Sequence, residues 1–190
     1  YTRQVTNFAE LDVDPVTHYL TRGAKSGLSP HPLFHPAWYA KQIDGYNHST
    51  INPLIHFLGA KSHDLNSPHP LFDCKWYLDK NPDVAQNGIN PLLHYILRGA
   101  REGRDPHPLF LSTHYLTLYP EVSRTEPNPL VHYLKTGGLL GFSPHPLFDG
   151  NWYLSNYPEV RDEAENPLVD FLMRGAQEGR NPNPWFDTSW

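Results

Sequence analysis

Eight histidines fall into two series that advance in steps of 38 residues. His18, His56, His94 and His132 form the first, with Asp170 in the fifth place. His31, His69, His107 and His145 form the second, with Asn183 in the fifth. Neutral imidazole is a common transition-metal ligand, so a paired series of this kind is a candidate for metal held between the two rings. Both series lose histidine in the same period, which suggests that the two positions touch although they lie 13 residues apart in the chain. Two ligands do not close a zinc site, and no acidic residue recurs at an offset that would complete one. The favoured expectation is therefore structural, with the imidazoles satisfying loop carbonyls in a proline-rich joint.

Tryptophan supplies a second candidate chemistry. Trp38, Trp76, Trp152 and Trp190 share one register, and His114 takes the remaining place. A flat indole at regular spacing can stack on the apolar face of a sugar ring. Trp38, Trp76 and Trp152 are each followed by a tyrosine, however, and two adjacent helical residues cannot both face fully inward. Core is the favoured expectation for these rings, and a glycan platform is the alternative.

Catalytic patterns are missing. There is no GxSxG, phosphate-binding glycine loop, HExxH or paired Cys–His at a telling position. Asp83, Glu121 and Glu159 each follow a proline and read as first-turn helix residues favoured by the helix dipole. Glu102, Arg104, Glu178 and Arg180 read as solvated charge on a turn. The short glycosylation-like "NHS" at 47–49 carries no weight. An enzyme is not expected in this segment, nor any cofactor.

The elements that would carry these residues repeat. The phrase "SPHPLF" stands at 29–34, 67–72 and 143–148, with "DPHPLF" at 105–110 and "NPNPWF" at 181–186. Pro30, Pro68, Pro106, Pro144 and Pro182 are spaced by 38 without insertion or deletion, as are Tyr1, Tyr39, Tyr77, Tyr115 and Tyr153. The 190 residues therefore make five periods, about 1–38, 39–76, 77–114, 115–152 and 153–190. A fixed period of this length is the mark of a solenoid, whose units bury their apolar faces against their neighbours. The ends cut the recurrent Trp-Tyr unit, which suggests a piece of a longer array.

Within one period, Asp73 is a suitable N-cap for a short helix carrying Trp76 and Tyr77. Asn90-Pro91 supplies a second cap, with proline where its missing N–H is harmless. Leu92, Tyr95 and Ile96 give one apolar stripe. Gly99 is expected as a left-handed C-cap and Gly103 as the following turn. The doubled prolines predict a stiff extended crossing that Leu109 and Phe110 plug into the core. The expected fold is all-α, with two to three short helices per unit and almost no sheet. Lys61 and Leu65 stand where other periods have glycine, and the last period departs at Asp170, Asn183 and Trp185.

Composition narrows the partners. The net charge is −5 with no block of Lys or Arg, so a nucleic-acid partner is not expected. No apolar run is long enough to span a membrane, and the N-terminus lacks a signal pattern. Aromatics make up 13%, too rich for a disordered tail. The lone Cys74 excludes an internal disulfide. It shares its slot with Pro36, Ser112, Gly150 and Thr188, a variety that suggests an indifferent surface thiol.

The stretch "FDCKWYLDKNPDVAQNGINPLLHYILRGAREGRDPHPLFLSTHYL" (72–116) resembles a bacterial repeat, "NPLxHYLxxGAxEGRxPHPLFDxxYYLxxNPDVA". Such repeats occur beside glycosyltransferase domains in large proteins of surface-polysaccharide assembly, and in some secreted hemolysin-type proteins. The likeness covers all five periods, strongly over about 52–187 and weakly over 1–13; Lys61 and Leu65 depart from it. It carries over no catalytic residue. It implies a non-catalytic appendage in the setting of bacterial surface glycans, either cytoplasmic or exported. The function expected is thus a binding or spacing scaffold with a polysaccharide or protein partner. Head-to-tail self-assembly into a filament is the alternative, and metal binding through the histidines a further one.

Overall fold

A computed structural model describes residues 1–47, 50–61 and 65–188. The protein is all-helical, and among the described residues there is no β-strand. None of those helices is long and apolar enough to cross a membrane.

One period shows why these residues fold as they do. Asp73 accepts from the Trp76 N–H and starts the helix Cys74–Lys80. Asn81 ends it, and Pro82–Gln86 forms the next turn of helix with proline at its start. Asn90 then caps Pro91–His94 through the Leu93 N–H. That helix does not continue with ordinary spacing. Tyr95–Gly99 is a π-turn, closed by the Ala100 N–H on the Tyr95 carbonyl five residues back. The same widened turn occurs at Tyr19–Gly23, Tyr133–Gly137 and Phe171–Gly175.

The π-turn explains the glycine, and corrects the left-handed cap expected at Gly99. Gly99 does not have positive φ; Gly103 does, at 72°. A side chain at Gly99 would overlap the hydroxyl of Tyr77, and the same holds for Gly23, Gly137 and Gly175 against Tyr1, Tyr115 and Tyr153. Where Lys61 replaces this glycine, no π-turn forms. Pro53–Gly59 stays a plain α-helix, and Ala60 leaves it extended with ψ 148°.

Phe, Tyr and a second ring make the core of each period. Phe110 lies 5.4 Å from Tyr115 and 5.5 Å from Tyr133 between ring centroids, and Tyr115 meets Tyr133 edge-on at 5.8 Å. Phe34, Tyr39 and Phe57 repeat this triad, as do Phe72, Tyr77 and Tyr95, and Phe148, Tyr153 and Phe171. Edge-to-face contacts of this kind add to the burial of the rings themselves. The hydroxyl of Tyr19 is buried without a hydrogen-bond partner. Phe57 and Phe171 fill the same slot with no hydroxyl. Tyr19→Phe should therefore leave stability unchanged or raise it by up to about 1 kcal/mol. Chemical denaturation checks this, and a loss larger than that would mean the hydroxyl is bonded after all.

The proline phrase is a turn and not the extended crossing expected. His107, Pro108, Leu109 and Phe110 form it, with the Phe110 N–H on the His107 carbonyl at 3.0 Å. Proline suits the second position of such a turn because its φ is already set. Consecutive phrases then join through the main chain. The N–H after each phenylalanine donates to the first proline carbonyl of the next phrase: His35 to Pro68, Asp73 to Pro106, Leu111 to Pro144 and Asp149 to Pro182, at 2.8–3.1 Å.

Two further expectations are overturned. Cys74 is buried, not a surface thiol, and burial pushes its pKa up. Its slot demands a small residue: Ser112 and Thr188 donate to the carbonyls of Arg104 and Arg180, eight residues back, and Cys74 reaches that of Asn66 at 3.7 Å. Arg104 and Arg180 are not solvated charge either. Arg104 bridges Asp83 at 2.8 Å and Asn81 at 2.9 Å, tying the turn to the helix before it. Arg180 holds Glu159, Glu178 and Asp170, and packs 5.1 Å above the Tyr157 ring.

Candidate functional site

The first histidine series is built onto the tyrosines of the triads. Tyr1, Tyr39, Tyr77 and Tyr115 bond the Nδ1 atoms of His18, His56, His94 and His132 at 2.6–2.9 Å. Each pair spans 17 residues, from the Tyr-bearing helix to the end of the asparagine- or aspartate-capped one. In the fifth place the Tyr153 hydroxyl donates to Asp170 Oδ2 at 2.6 Å. A carboxylate can only accept, so tyrosine is the donor in the fifth period; the same donor role in the other four would place the imidazole proton on Nε2. Burial lowers the pKa of His94 and His132, which favours the neutral ring.

The second series does a different task. His31, His69, His107 and His145 accept at Nδ1 from the backbone N–H two residues on, at 3.0–3.1 Å. Asn183 does the same through Oδ1 to the Trp185 N–H at 2.8 Å. The histidine thus plays the part that asparagine or aspartate usually plays at the head of a turn.

Those bonds account for the joint loss of histidine in the fifth period without a contact between the series. Asp170 and Asn183 each keep the acceptor that their own slot needs. Each series has Nδ1 bound to a separate partner, and no group of three or more His, Cys, Asp or Glu that could hold a metal ion is present among the described residues.

The tryptophans sit between the two expectations. Tyr39, Tyr77 and Tyr153 take the inward position, and Trp38, Trp76 and Trp152 are left half-buried. His114, in the same register, is half-buried too. Lys80 lies 6.0 Å over the Trp76 ring, and Trp152 meets Tyr157 edge-on at 6.2 Å. Trp190 lies outside the described residues, as does part of the "NHS" stretch. The most exposed indole is one the repeat register did not single out: Trp185 is 93% exposed, beside Phe186 at 47%. Its signal in the sequence is the change from leucine in "PHPLF" to tryptophan in "NPNPWF".

A cleft of about 420 Å³ is lined by His35 and Lys41 from early in the chain and by Glu165, Asp170 and Arg174 near its end. Its acids are already engaged. Asp170 is bound by Arg174, Arg180 and Tyr153, and Arg174 also holds Glu163 and Glu165. With its carboxylates paired, the cleft offers no free acid–base couple.

No family model, curated protein or solved structure matches this chain. Among the described residues, the histidines of both series are engaged through Nδ1 in bonds that recur from period to period.

Proposed function

We propose that the chain is a solenoid of five 38-residue units and serves as a non-catalytic scaffold in bacterial surface-polysaccharide assembly, with glycan contact through tryptophan. One observation carries the non-catalytic reading. The Tyr–His bond, the aromatic triad and the histidine-headed turn recur at one register, so these polar and aromatic groups hold the fold and, among the described residues, leave no converging reactive set. The resemblance of the repeats to glycosyltransferase-associated units supplies the glycan setting. Exposed Trp185 and half-buried Trp38, Trp76 and Trp152 supply surfaces of the right chemistry.

Affinity electrophoresis against a panel of bacterial surface polysaccharides tests it, with Trp185→Ala, Trp38→Ala and Trp152→Ala variants checked for folding. Retardation by one glycan class, lost in a folded variant, is the expected result. No retardation across a broad panel removes the glycan from the proposal.

A second reading, head-to-tail self-association, is favoured by the apolar surface of Leu147, Trp185 and Phe186. Leu147 is 53% exposed, whereas its counterparts Leu33 and Leu71 are buried. Light scattering across a concentration series separates the two, since only self-association makes the mass grow.

A further inference from the structure

Two of the turn-heading histidines lie among other charges. His69 has the His35 ring 6.2 Å away between centroids, and the charge of His107 acts on it as well. His107 senses the charges of Asp73 and His145. His69 is buried and His107 half-buried. Each Nδ1 accepts from a main-chain N–H, a donor that cannot reverse its role.

We propose that the joints are acid-labile: protonation of His69 and His107 abolishes the turn bond that heads each joint and places positive charge in the seam.

The Tyr–His pairs form the contrast. A tyrosine hydroxyl both donates and accepts, so it can turn to receive a proton from a charged imidazole; a backbone N–H cannot. The chain also contains an acid-inert version of the joint. Asn183 heads its turn with an amide oxygen that does not titrate in this range.

The direction of the effect follows from burial. Desolvation, aided by the neighbouring imidazoles, pushes His69 down to about 3. Desolvation brings His107 to about 4, with Asp73 opposing and His145 assisting. The unfolded value is about 6.5. The unfolded chain therefore binds more protons between these limits. The contribution is fully present above about pH 6.5, falls as the pH drops, and levels off once the folded values are passed.

The test is urea denaturation of the whole chain between about pH 6 and pH 4.5, for the wild type and for a His69→Asn/His107→Asn variant that copies the joint at Asn183. Each neutral buried histidine steepens the pH dependence by about one proton. The variant's folded-to-unfolded ratio should therefore fall less steeply, by a factor of roughly 100 per pH unit. Equal slopes overturn the proposal. Should the double variant not fold at neutral pH, the histidine proton resonances of the wild type decide. If the rings assigned to His69 and His107 stay neutral down to about pH 5 the proposal is supported, and titration of those two rings near 6.5 overturns it.

Discussion

Gly137→Ala is expected to destabilise the protein by about 3 kcal/mol, out of proportion to a single methyl group. The added carbon would overlap the buried Tyr115 hydroxyl, and His132 Nδ1 and Phe142 Cδ2 already lie 3.2 and 3.3 Å from its position. Overpacking of that kind costs about 1–3 kcal/mol. Displacing the hydroxyl also breaks the 2.8 Å bond to His132, for about 1 kcal/mol more. The mechanism can be isolated with Tyr115→Phe. Alone, that change leaves a histidine acceptor unpaired and should be destabilising by about 1–2 kcal/mol. In the Gly137→Ala background it removes the clash and should restore stability. A reversal of sign between backgrounds is strong coupling between residues 22 apart in sequence, read by urea denaturation of the four proteins. The same sign in both would mean that the hydroxyl is not what the glycine accommodates. Lys61 offers the natural parallel: Tyr39 keeps its bond to His56 at 2.9 Å, and it is the helix that gives way, ending early without a π-turn.

Phe110→Ala should remove about 3–5 kcal/mol, whereas Phe186→Ala should remove less than about 1 kcal/mol. The two residues hold the same place in the repeated phrase. Phe110 is fully buried between Tyr115 and Tyr133, and its loss leaves a cavity that rigid neighbouring rings cannot fill. Phe186 is half exposed and leaves no enclosed void. Paired denaturation curves give the comparison. Losses of similar size would show that position in the phrase, and not burial, sets the contribution.

Much of the architecture was legible in the sequence. Helix, proline and cap all act over three or four residues, so Asp73, Asn90 and the helices they begin could be read locally. The unbroken spacing of Phe34, Phe72, Phe110 and Phe148 marked the core. Legibility ended where a residue answers to a partner far along the chain. Gly99 looked like a helix stop because its true constraint, the Tyr77 hydroxyl, comes from the preceding helix. Cys74 looked indifferent because its slot selects for small size against a carbonyl eight residues back, and chemically varied residues can be small. Arg104 looked solvated because Asp83 reaches it across a turn. The histidine series were visible as series, but the shared loss in the fifth period pointed to contact where the structure has two independent acceptors. The Trp-Tyr pair fixed that one ring goes inward. Only the packing assigned that place to tyrosine.

The bond between successive proline phrases has a consequence for how such a chain changes over generations. Donor and acceptor are both main-chain groups, so the seam does not depend on which side chains flank it. The tyrosine–histidine and glycine contacts close within a single 38-residue stretch. Unequal recombination that inserts or deletes one whole stretch therefore leaves every seam bond with a donor and an acceptor. A change of any other length alters the interval between donor and proline carbonyl at the seam it falls within. Array length is free to drift, but only in whole steps.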